Sequence, residues 1–180
     1  HGGELPLGTL AERMITVSGN LAADLILEHL GLDAINGFLD RAGLGSAIAV
    51  DRLIGDDAAE AAGVTNRVSA DGLARLMAGI ADHSLLGGAA SGTALEVLAG
   101  QEHRRMISAG LPPGTWSASK GGWVTGVAHD VALVRPGTVP PYVLAIWQTS
   151  SSPTTPPRIP PGPCTVPSPR RWWPTAAHGR

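Results

Sequence analysis

The sequence predicts an α+β fold, with several helices followed by an antiparallel sheet packed with them. Three observations carry this expectation. Apolar residues recur at three- and four-residue spacing through much of the first hundred positions. The pattern changes at Pro112, after which β-rich runs are separated by short Gly- and Pro-containing turns. The chain has 180 residues, 43% hydrophobic but only 4% aromatic, enough for one domain whose core is mostly Ala, Val, Leu and Ile. Helices and strands that are segregated along a chain, rather than alternating, are the α+β pattern.

The elements follow in order. Residues 8–15 read as a short helix with Leu10, Met14 and Ile15 inward, and Val17-Ser18-Gly19-Asn20 is a polar break. Leu21 to Leu30 resumes helical spacing, with Leu21, Leu25, Ile26 and Leu30 on one face and Gly31 as its end. Asp33 is a candidate cap for the next helix, whose apolar set is Ile35, Phe38, Leu39 and Ala42. Residues 46–66 have no clear period and read as an irregular loop. Ser69 caps a helix with Leu73, Leu76, Met77 and Ile80 inward. Thr93 to Glu96 has the form of a capping box opening another, and Gln101 to Ala109 suggests one more short helix. Trp116 to Val124, Val127 to Arg135 and Tyr142 to Trp147 are the three strands of an antiparallel meander. Beyond residue 147 the chain is crowded with proline, which can form neither helix nor interior strand, so 148–180 is expected to be a disordered or out-of-frame tail.

Charge and composition narrow the function. The formal net charge of −2 gives no reason to expect nucleic acid or an anionic membrane surface as partner. The single cysteine, Cys164, permits no internal disulfide. No C-x-x-C, H-E-x-x-H, Walker loop or G-x-G-x-x-G is present, and the six histidines are scattered, so neither metal nor cofactor is expected. The first residue is His1 and no signal peptide is recognisable, which leads to the expectation of a removed leader or a partial chain.

Three short stretches bear on chemistry. Ser18-Gly19-Asn20 lies between two helices, either as a capping turn or as a serine and an amide at the mouth of a cleft. Lys120-Gly121-Gly122 lies inside a predicted strand, where the glycines either weaken it or let a substrate lie against its backbone. Lys120 is the only lysine among 13 basic residues, a sign that its compact ammonium group matters. Ser117-Ala-Ser-Lys120 fits S-x-x-K, in which a serine nucleophile and a lysine face each other one helical turn apart. Here the surroundings favour a strand, and an odd spacing puts Ser117 and Lys120 on opposite faces. The match is read as accidental.

Serine β-lactamases and penicillin-binding proteins carry S-x-x-K, S-D-N and K-T-G in that order. This chain shows S-G-N at 18–20 and K-G-G at 120–122. LPLGTLAERMITVSGNLAADLILEHLG resembles the class A stretch in which one helix leads to S-D-N and another follows. DAINGFLDRAG resembles the next helix, and GVTNRVSADGLARLM the segment after the omega loop. KGGWVTGVAHDVALVRP resembles the K-T-G strand, its turn and its neighbour, with Asp130 in the matching position, and PPYVLAI the last strand. The resemblance runs from about Leu5 to Ile146.

It implies a β-lactamase/transpeptidase-like fold, with a helical subdomain beside the sheet, and a serine acyl-transfer hydrolase acting on a β-lactam or peptide-like amide. By analogy Ser18 relays a proton to the leaving nitrogen, and Lys120 supports Ser18 and the substrate carboxylate. Asn20, Gly122 and Trp123 form the substrate-binding side, with the Trp123 N–H as an oxyanion donor. The resemblance also implies a monomer without cofactor or metal, secreted or in the periplasm or cell envelope.

Departures from the family pattern shape the rest. The S-x-x-K helix and the first sheet strands belong upstream of Ser18, so they are expected to be missing, and the chain as given is expected to be inactive. An open sheet edge then makes poor solubility the expectation. Gly19 and Gly121 replace the Asp of S-D-N and the Thr of K-T-G. Ile54 occupies the slot of the omega-loop glutamate after Asp51-Arg52, with Asp56 and Asp57 as possible substitutes. These changes keep two alternatives open: a penicillin-binding or esterase-like relative, and a non-catalytic pseudoenzyme domain.

Overall fold

The computed structural model describes residues 3–149. Among these described residues six α-helices and five strands occur in the order α1 (Leu7–Thr16), α2 (Asn20–Leu30), α3 (Leu32–Arg41), β1 (Ile48–Ala49), α4 (Asp57–Ala61), β2 (Arg67–Val68), α5 (Ala70–Ala81), α6 (Gly88–Ala99), β3 (Trp116–Val124), β4 (Val127–Arg135) and β5 (Tyr142–Thr149). A 3-10 turn at Ile107–Gly110 precedes β3. None of these helices is long and apolar enough to cross a membrane.

Strands β3, β4 and β5 form one antiparallel sheet in that order. The predicted limits of β3 and β4 match the observed ones, and β5 continues to Thr149. Period-two alternation explains the packing. On one face Ala118, Val131 and Leu133 meet Met77, Leu95 and Leu98, with Ile15, Leu73 and Ile80 around them. On the other face Ala132 and Val134 meet Ile107, Leu111, Tyr142 and Leu144. The sheet is therefore covered by α1, α5 and α6 on one side and by the 3-10 turn on the other. Among the described residues its edge strands are β3 and β5.

Several expectations need correction. Residues 46–66 are not structureless: β1 pairs with β2, placing Ile48 opposite Val68, and α4 lies between them. Asn36 clamps Val50 through both backbone groups, and Asn66 accepts from the N–H groups of Asp51 and Arg52. Two side-chain amides thus order a segment that has no periodicity. Residues 101–106 are irregular, not helical. Helix α6 starts at Gly88, so Thr93 lies inside it and its hydroxyl donates to the Ala89 carbonyl, with no capping box. Gly31 at φ 79°, not Asp33, caps α3, although Asp33 does sit in the first turn. Ser69 caps α5 as expected, accepting from the Gly72 N–H at 3.0 Å. Helix α2 buries Ala22, Ala23 and Ile26, while Leu21 is 74% exposed and Leu25 and Leu30 also face solvent. Helix α3 buries Leu39 but leaves Phe38 at the surface. The tail called at 148–180 lies outside the described residues from position 150 onward.

Candidate active site

Two distant elements meet at the candidate site. Helix α1 ends at Thr16, and the chain turns through Ser18 in a left-handed conformation (φ 54°) before α2 begins at Asn20. A non-glycine residue in that region carries about 1 kcal/mol or more of strain, so its surroundings must hold it there. They do so through the loop that follows α6. The buried Gln101 donates from Nε2 to the Ile15 carbonyl at 2.9 Å, and the Glu102 N–H donates to the Thr16 carbonyl at 2.9 Å. His103 Nε2 lies 3.2 Å from the Val17 carbonyl. Three consecutive carbonyls at the end of α1 are thus held by three consecutive residues of one loop, and Ser18 comes next. His103 also meets Trp123 edge-to-face at 5.2 Å between centroids, which links the α1 end to β3.

Lys120 approaches from β3. Its Nζ lies 2.6 Å from Ser18 Oγ and also donates to the Gly121 carbonyl. The pair joins positions 102 apart in sequence. Burial lowers the pKa of Lys120, opposed by the negative charge of Asp130. Asp130 stands opposite Gly121 on β4 and is 5% exposed. Its Oδ2 accepts from the Ile107 N–H at 2.9 Å, and its buried Oδ1 has no partner among the described residues. Burial raises its pKa, and the backbone donors at Ile107 and Val131, then Lys120, oppose the rise.

The remaining predicted residues are close in sequence to this pair. Asn20 is the exposed first residue of α2, and Gly122 and Trp123 lie on the exposed end of β3. Ser117 is on the other face, as its odd spacing requires. Its hydroxyl accepts from Arg104 Nη2 at 2.9 Å and lies 3.2 Å from Ser108 Oγ, which is also 3.3 Å from Ser119 Oγ. The S-x-x-K match therefore does not bring its serine and its lysine together. Around residues 51–57, Asp56 accepts from the Ala59 N–H as the cap of α4 and Asp57 is exposed in that helix, so Asp56 already has a structural task. Asp24 of α2 holds the loop there, accepting from Ile54 N–H at 2.6 Å and Gly55 N–H at 2.8 Å.

Gln101 and His103, the brace behind Ser18, were missed from sequence. The available hint was a polar pair directly after Gly100 at a helix end, but its partners lie 86 residues away. Among the described residues, no group of three or more His, Cys, Asp or Glu side chains is placed to hold a metal ion.

No curated protein matches the chain. Among solved structures, PBP-A is 26% identical with a TM-score of 0.74, covering 82% of this chain and 54% of that one. A variant of the last common ancestor of Gram-negative bacteria class A β-lactamase is 27% identical with a TM-score of 0.73, covering 84% and 58%. The Mycobacterium abscessus class A β-lactamase, at 19% identity, shares the fold with a TM-score of 0.76, covering 86% and 60%. The chain thus spans between 54% and 60% of the length of these three structures. The family model described as the β-lactamase enzyme family matches residues 1–159, and the chain belongs to that family.

Proposed function

We propose that this chain carries one wall of a β-lactam-directed serine acyl-transfer site. Ser18 is the proton relay, Lys120 its electrostatic partner and the anchor for the substrate carboxylate. Asn20, Gly122 and Trp123 form the acyl-amide and oxyanion side. The observation that carries the reading is the Lys120–Ser18 contact of 2.6 Å, made by the two residues that the S-x-N and K-x-G order singles out. A lysine held beside a serine hydroxyl can pass a proton and stabilise negative charge arriving next to it. In the whole reaction a serine ester forms on the substrate carbonyl and water releases it. Among the described residues the only S-x-x-K match is on β3 with its serine turned away. We therefore propose that the chain by itself binds a β-lactam reversibly and forms no penicilloyl ester.

The test is a fluorescent penicillin read two ways, by anisotropy and by intact mass. Saturable binding that weakens at least tenfold in Lys120→Ala, with no covalent mass increase, is the expected result. A stoichiometric penicilloyl adduct refutes the inactivity, and absence of saturable binding to the folded chain refutes the β-lactam reading. The penicillin-binding or esterase-like alternative rests on the slot at Ile54, whose backbone is tied to Asp24 and which supplies no carboxylate. Preferential binding of a D-Ala-D-Ala peptide over the penicillin would favour it.

A further inference from the structure

We propose that Ser18 and Lys120 form a nucleophile–base dyad of their own, able to take an acyl or phosphonyl group from a neutral, activated ester. This goes beyond the relay role and does not depend on it. Three features support it. The hydroxyl and the amine are 2.6 Å apart, within direct proton-transfer reach. The half-buried lysine is desolvated, which favours the neutral amine that a base must be. Ser18 lies at a left-handed turn immediately before α2, an 11-residue helix whose N-cap, Gly19, offers no side chain to its first-turn N–H groups. Those groups and the helix dipole place positive potential beside Ser18, where an oxyanion would develop.

The step balances within the pair. Ser18 Oγ attacks the carbonyl carbon while its proton passes to Lys120 Nζ. The bond to the leaving alkoxide breaks, and the ammonium protonates that alkoxide. Water then cleaves the serine ester, with Nζ again taking and returning one proton. A β-lactam carries a carboxylate that would pair with Lys120 and keep it charged, so the dyad is suited to uncharged esters and the two activities are separable.

The test uses the full chain with a fluorophosphonate, in which the Oγ–P bond forms, fluoride leaves and the hydroxyl proton moves to Nζ. Peptide mapping of the folded protein is expected to place the adduct on Ser18. Labelling should fall at least tenfold in Lys120→Arg, which keeps the cation but cannot act as a base at neutral pH, and in the wild-type chain unfolded in urea. Ser18→Gly, which suits the left-handed turn, should lose the adduct and keep its melting transition. No Ser18 adduct on the folded chain overturns the proposal, as does equal labelling in urea or in a folded Lys120→Arg. The fluorescent-penicillin result is independent of this one, so either reading can fail alone.

Discussion

Gly121 offers a sharp test of how the strand behind the site is packed. A Cβ built at this position would come 2.6 Å from Met106 Cε and 3.7 Å from Asp130 Oδ1. The first contact is with the end of a flexible side chain, so Met106 can rotate away at a cost of about 0.5–1.5 kcal/mol. Replacing a glycine within a strand returns roughly 0.5–1 kcal/mol. The two effects nearly cancel, and Gly121→Ala is expected to melt close to wild type. Gly121→Ser adds a hydroxyl whose oxygen can reach about 2.5–3.0 Å from Oδ1. That oxygen is the buried acceptor without a partner, and an unmet buried polar group costs about 1–3 kcal/mol. The serine variant should therefore exceed the alanine variant by about 1.5 kcal/mol, or roughly 3–6 °C in Tm for a domain of this size. Thermal melts followed by circular dichroism measure this difference. In an Asp130→Ala background it should shrink below about 0.5 kcal/mol, as a double-mutant cycle requires. Serine and alanine variants melting together in the wild-type background would refute the reasoning.

Other consequences are equally accessible. Burial lowers the Lys120 pKa below its usual 10.5, so the ammonium form costs stability below that lowered value, and the cost fades as pH rises from there toward 10.5. Wild type should gain stability relative to Lys120→Met between pH 7 and 10.5 in urea melts, and a pH-independent difference would count against the buried charge. His103→Leu removes the contact with the Val17 carbonyl and the edge contact with Trp123, for a loss of about 1 kcal/mol in urea titration that His103→Gln should largely restore. Asp24→Ala strips the acceptor from Ile54 and Gly55, so hydrogen exchange at those two amides should accelerate more than tenfold while the Gly72 amide in α5 stays unchanged.

The legible parts of the sequence were those with short-range grammar. Strands β3 and β4 were readable to the residue because Thr125-Gly126 and Pro136-Gly137 punctuate two β-rich runs. The Ser69 cap carried its own signature. Segment 46–66 was not readable, since two-residue strands and clamping by Asn36 and Asn66 leave no period to detect. The inward face of α2 was only partly legible: Ile26 is buried as expected, but its buried companions are the small Ala22 and Ala23, which carry little hydrophobic signal beside the exposed leucines. Within the site, the pairing of Ser18 with Lys120 followed from motif order, whereas the brace from Gln101 to His103 depends on partners 86 residues away.

The contact between Ser18 and Lys120 joins the helical first part of the chain to its sheet. Neither side can make it alone, so the pair exists only while the α1 end, the loop after α6 and β3 are docked together. Opening any one of them, even briefly, separates hydroxyl from amine. The rate at which Ser18 reacts is therefore a clock for assembly: under denaturant it should decline in step with docking of the two parts, ahead of any loss of helix within either.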